Sequence, residues 1–175
     1  MNIGAISTVF LEAGINAGKI LKESAKTSVI REVTHNDVTS KHFADWFFKM
    51  ADWADIKQKD FPFDMITHSD EACVYGYFNN DRLDAIIKAE ENDDSYELSF
   101  FFVNRAIQLR GIGQLIFQYV LNKFKNKKLI LYVYKDNNPA IHIYQKYGFK
   151  NVGVGFGRGY RPKSPHYIMQ RDIPG

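Results

Sequence analysis

Residues 96–134 constrain the fold of this 175-residue chain more than any other stretch. An aromatic-rich, mostly apolar run at 96–103 leads into the turn Gln108-Leu109-Arg110-Gly111-Ile112-Gly113. Ile112, Leu115, Ile116, Tyr119, Val120 and Phe124 then recur at helical spacing, and residues 129–134 are again continuously apolar. Strand, turn, helix and strand in that order make a crossover, which joins parallel neighbours with a right-handed sense. The two glycines let the backbone approach a bulky anion, and the helix start aims unpaired N–H groups and a partial positive charge at it. The six turn residues alone would suit a glycine turn with no ligand equally well, so the flanking elements decide the reading.

The remaining elements follow from period and punctuation. Residues 29–33 predict a first strand, and the cap residues of 34–37 open a helix extending to about Ala54, with Phe43, Trp46, Phe47, Met50 and Trp53/Ala54 on one face. Residues 72–78 and 83–89 form a hairpin around Asn79-Asn80-Asp81, and the polar run 90–95 is a second turn before the strand at 96–103. Asn138 and Pro139 serve as cap and first position of a short helix carrying Ala140, Ile143, Tyr144 and Tyr147, with Gly148 as its stop. Residues 149–156 and 166–173 close the chain as two strands.

Composition excludes disorder and repeat architectures: 45% of residues are hydrophobic and 25% charged, in a length that suits one domain. A net charge of +3 conceals a division. Residues 1–103 hold ten basic and eighteen acidic residues, whereas residues 104–175 hold thirteen basic and two acidic ones. A polyanion on the basic side and a cationic group on the acidic side would suit that division, and so would two solvated faces. Nucleic acid ranks below a small polyanion because the basic residues form no dense run. Cys73 stands alone, so no internal disulfide forms, and no Cys/His spacing resembles a zinc site; the expected home is a reducing cytoplasm, with no metal. Residues 1–28 carry a helical apolar spacing weakened by Gly4, Gly14 and Gly18, and nothing in the chain reaches membrane-spanning length. This segment is expected to be an added N-terminal helix before a domain of residues 29–175. With the last strands it forms a candidate homodimer contact.

Two patterns then carry a resemblance. Gln108-x-x-Gly111-x-Gly113 resembles the acetyl-CoA signature [Q/R]-x-x-G-x-[G/A] of the GNAT N-acetyltransferase superfamily, and Asn137-x-x-Ala140-x-x-x-Tyr144-x-x-x-Gly148-Phe149 resembles that superfamily's N-x-x-A-x-x-x-Y-x-x-x-G-F pattern. The likeness covers about residues 29–173 and is strongest over 97–149. It implies an α/β fold with a mixed sheet of six to seven strands flanked by helices. Where members often have a proline and a basic residue before the turn, this chain has Asn104-Arg105-Ala106-Ile107.

The resemblance implies acetyl-CoA as cosubstrate and an amine as acceptor. Backbone groups near Phe101, Phe102 and Val103 would bond the pantetheine arm, and Gln108, Leu109, Arg110, Gly111, Ile112, Gly113 and Gln114 would hold the pyrophosphate, with Asn137 and Tyr144 also at the cofactor. Tyr144 matches the tyrosine that protonates the leaving thiolate; without that match it would read as a core tyrosine. Glu97 matches by its spacing to Gln108 a glutamate that some members use as base, where others use ordered water. Acceptor pockets in the superfamily are built by segments corresponding to about 38–70 and 157–166. The five histidines show no partner spacing for metal or nucleophilic chemistry and are assigned to surface or core. Alternatives of other classes are an acyl-CoA-binding module without catalysis and an enzyme acting on a protein or tRNA.

Overall fold

The computed structural model describes residues 28–50, 62–67, 70–108, 110–157 and 163–175. In chain order the elements are β1 (Ser28–Glu32), α1 (His35–Val38), α2 (Lys41–Met50), α3 (Asp64–Thr67), β2 (Ala72–Asn79), β3 (Arg82–Asn92), β4 (Ser95–Val103), a 3-10 turn (Arg105–Ile107), α4 (Ile112–Lys123), β5 (Leu129–Tyr134), α5 (Asn138–Lys146), β6 (Lys150–Gly155) and β7 (His166–Arg171). Backbone pairing orders one seven-stranded mixed sheet as β1-β2-β3-β4-β5-β7-β6. The expected N-terminal helix, Trp53 and Ala54 lie outside the described residues. The chain divides into two compact units: Met1–Lys88 with Phe100–Lys123, and Ala89–Ser99 with Phe124–Gly175.

In the first unit, Thr34 and Asp37 form a reciprocal capping box at the start of α1, and Arg31 grips the Asp37 carboxylate through two nitrogens at 2.8 and 3.0 Å. Desolvation pushes this carboxyl up, but the bonds from Arg31 and Thr34 outweigh it and hold Asp37 below the usual range. The single helix expected from residue 34 onward is two. Thr39 donates its hydroxyl to the His35 carbonyl and Ser40 accepts the Phe43 N–H at 3.3 Å, so side-chain hydroxyls supply the bonds of a break and a new start. Beyond it α2 buries Phe43, Ala44, Trp46 and Phe47, with Phe43 and Phe47 stacked at 4.8 Å and Trp46 donating to the Leu83 carbonyl at 2.8 Å. Phe43, Trp46 and Phe47 join Val38, Ile66, Val74, Phe78 and Ile86 in one core. The hairpin turn is Asn80-Asp81, at φ of 51° and 62°, the left-handed pair that a two-residue connection requires. The strands on either side are longer than expected, β2 reaching Asn79 and β3 running from Arg82 to Asn92.

In the second unit, β4 and β5 pair in parallel at Tyr96↔Leu129, Glu97↔Ile130 and Leu98↔Leu131. Tyr96 packs on Phe124 at 4.7 Å, and Lys128 pairs with Asp94. β7 lies antiparallel to both β5 and β6, with a register shift between Asn151 and Gly153. A Cβ at Gly155 would stand 2.7 Å from the His166 ring, so that glycine is what lets β6 lie against the histidine. The last two strands are shorter than expected, ending at Gly155 and Arg171, where ladder pairing stops.

Candidate active site

Three devices in the first unit shape the turn after β4. Phe100 sits at φ 49°, a conformation that a bulky residue rarely adopts, and there the strand is locally irregular. Beyond it Phe102 meets Phe47 of the α2 core at 5.2 Å, whereas Phe101 stacks on Phe117 of α4 at 5.5 Å. Neighbouring aromatics thus anchor the strand end on opposite faces. Next, Asn104 opens the 3-10 turn by accepting the Ala106 N–H on its side chain at 3.1 Å. Asn104 is therefore the turn's first peg. Finally, Gln108 donates its side-chain amide to the Val103 carbonyl at 2.8 Å, tying the turn back to the strand.

Gly111 then takes φ 82°, open to glycine and strained for a side chain. A Cβ on Gly113 would come within 3.3 Å of Val103 Cγ2 and 3.8 Å of Phe101, so this glycine permits the close approach of α4 to β4. Ile112 is buried beneath the helix start while Gln108 and Arg110 are exposed. The first-turn N–H groups, including those of Gly113 and Gln114, have no acceptor within the helix, and the preceding Gly111 has no side chain to offer one. The structure thus brings Phe101, Val103, Gln108, Gly111, Ile112, Gly113 and Gln114 to one strand end and helix start. Phe102 lies in the same strand end with its ring turned to Phe47, Arg110 lies in the turn, and Leu109 lies outside the described residues.

The other candidates are in the second unit. Glu97 lies within the paired part of β4, opposite Ile130, partly buried. Tyr144 is on α5 with its ring 6.1 Å from that of Phe149. Burial pushes its hydroxyl up to about 12, which makes it a weaker acid than an ordinary tyrosine, protonated at neutral pH as any tyrosine is. The cap of α5 is Asn137 rather than Asn138: its side chain accepts the Ala140 N–H at 3.4 Å, and Pro139 occupies the first turn. Asn138 begins the helix because the extended-to-helical change falls one residue earlier than the Asn-Pro pair suggested.

Sequence reasoning missed one cluster. Asp84 on β3 is 3% exposed, and its Oδ1 receives His42 Nε2 at 2.7 Å and Asn104 Nδ2 at 2.9 Å. His42, read from sequence only as a surface or core residue, is half-buried and paired with a buried carboxylate. The available signal was a lone carboxylate in the apolar run Leu83-Asp84-Ala85-Ile86-Ile87. Among the described residues, no group of three or more His, Cys, Asp or Glu is arranged to hold a metal ion, and no helix is long and apolar enough to cross a membrane.

A glycine turn joins a parallel-paired strand to an amphipathic helix start on a mixed seven-stranded sheet, an arrangement found in N-acetyltransferases of one family. Residues 36–149 match the model of the acetyltransferase (GNAT) family, and the chain belongs to that family. Comparison with curated proteins gives no match. Among solved structures, the chain is similar to a putative phosphinothricin N-acetyltransferase (17% identity, TM-score 0.68, covering 85% of this chain and 100% of that one). It is also similar to the ribosomal-protein-S18-alanine N-acetyltransferase of Escherichia coli (17%, 0.66, 85% and 96%). A third similar structure is a GNAT acetyltransferase of Elizabethkingia anophelis with acetyl-CoA bound (17%, 0.62, 83% and 98%). At such identity the three show a shared fold.

Proposed function

We propose that this protein moves an acetyl group directly from acetyl-CoA to a primary amine, with the turn at Gln108–Gly113 as its pyrophosphate cradle. The observation that carries the reading is Gly111 at φ 82° opening a helix, whose first-turn N–H groups, as at any helix start, find no acceptor within the helix and suit an anion. Phe101 and Val103 supply backbone groups to the pantetheine arm, and exposed Arg110 adds charge beside the phosphates. The neutral amine attacks the thioester carbonyl; the C–N bond forms as the C–S bond breaks. The amine's proton leaves to Glu97 or to an ordered water, and Tyr144 gives its proton to the departing thiolate.

The acceptor is an amine drawn to the carboxylates of the first 103 residues. Structures sharing this fold include a putative phosphinothricin N-acetyltransferase and a ribosomal-protein-S18-alanine N-acetyltransferase, so the fold does not choose among acceptors. Release of CoA from acetyl-CoA, followed with a panel of small amines, amino-terminal peptides and aminated antibiotics, tests the reading. Turnover with one class names the acceptor. Acetyl-CoA binding with no turnover on any amine would contradict transfer and favour an acyl-CoA-binding module.

A further inference from the structure

A carboxylate buried on an apolar strand is costly unless donors surround it, and a fully hydrophobic replacement is often at least as stable. Asp84 therefore asks for a reason beyond stability. Its oxygen is met from two directions: His42 on α2 donates from Nε2, and Asn104 after β4 donates from Nδ2. The main chain repeats the second link, since the Asn104 N–H donates to the Asp84 carbonyl at 2.8 Å. The Asn104 amide is used at both ends, giving its NH₂ to Asp84 and accepting the Ala106 N–H on its oxygen, which fixes its orientation. The Asn104 carbonyl takes the Ile107 N–H at 3.0 Å, and the turn ends on Gln108, pinned to Val103. All of these groups lie within the first unit.

We propose that Asp84, His42 and Asn104 are positioning residues for the acetyl-CoA turn. They hold residues 104–108 in the one backbone path that delivers Gly111 and the N–H groups after it to the pyrophosphate. The inference rests on the reading of that turn given above. A loop already ordered binds without the loss of affinity that ordering would bring. Among the described residues His42 is bonded to Asp84 and not to the turn itself, and its helix contributes no backbone to the turn, so its effect is separable from the turn's own glycines.

The test is acetyl-CoA affinity by calorimetry and steady-state kinetics on the full chain. His42→Ala and Asn104→Ala each raise the Kd and KM for acetyl-CoA about tenfold, the effect of removing one hydrogen bond to a charged group, while kcat at saturation stays within about twofold. His42→Gln, which can still donate to Asp84, restores most of the affinity. The double variant His42→Ala/Asn104→Ala loses much less than the product of the single losses, because both act through one oxygen. His35→Ala, which removes an exposed partner of Asp64, leaves affinity unchanged. Lowered melting temperature with unaltered affinity in folded variants, or strictly multiplicative losses, would overturn the proposal. If His42→Ala fails to fold, His42→Gln and Asn104→Ala carry the comparison. Wild type that binds no acetyl-CoA overturns the reading of the turn and this inference with it, and is recognised before any substitution is made.

Discussion

The chain starts two helices with opposite treatment of the same backbone problem. At α5 the side chain of Asn137 satisfies the Ala140 N–H and Pro139 removes one of the remaining donors. At α4 the preceding residue is Gly111, which offers neither cap nor ring, and the turn before it is pegged by Asn104 and Gln108 instead of by a capping side chain. One helix start is capped by its own side chain; the other follows a glycine and a turn pegged by side-chain hydrogen bonds. Rigid elements around unspent donors are what an anion site needs, because ligand then replaces no internal bond.

Substitutions can break that contrast or sharpen it. The largest effect is expected about two turns beyond the capped start: Tyr144→Phe removes the proton donor and lowers kcat about a hundredfold, with acetyl-CoA affinity within about twofold. Single-turnover kinetics beside calorimetry separates the two, and equal loss in kcat and affinity would make Tyr144 a binding group. The same phenol gives a pH dependence. Burial raises its folded value to about 12 from an ordinary 10, so between those values the unfolded chain loses the proton first and the native state holds it. Stability therefore falls as pH rises through that window, and Tyr144→Phe, compared with wild type by denaturant titration, flattens the fall. No difference between the two would contradict a buried hydroxyl.

Next in size, Asn137→Ala costs about 1 kcal/mol of stability through the lost cap, with acetyl-CoA affinity nearly unchanged. An affinity loss larger than the stability loss would instead give Asn137 a direct place at the cofactor. Smallest is Gly113→Ala: its Cβ would press within 3.3 Å of Val103 Cγ2, a flexible enough neighbour to yield, so a shift of only a few tenths to about 1 kcal/mol in stability is expected by thermal melting.

Much of this was legible because it is local. The crossover from β4 through α4 to β5 is written in the period of residues 96–134, and β5 has the bounds that its apolar run predicts. The β2–β3 turn is announced by Asn80 and Asp81, which tolerate positive φ. What escaped depends on competition or distance. Thr39 and Ser40 broke a helix whose apolar stripe continued unchanged, because hydroxyl bonds are invisible to hydrophobic spacing. Asn137 and Asn138 are chemically identical candidates for one cap, so the sequence does not rank them. His42 and Asp84 are far apart in the chain, and no spacing rule connects a residue on a helix with one on a strand folded against it. The turn's glycines could be seen at once, whereas the network that holds them required the fold.

The most direct measurement is calorimetric titration of acetyl-CoA into the full chain, wild type beside Gly111→Val. A β-branched residue at φ 82° would force the turn away from its path. Wild type is expected to bind with one site per chain, and the variant to bind at least about tenfold more weakly while still melting cooperatively. Equal affinity in the two folded proteins would contradict the placement of the cofactor at this helix start.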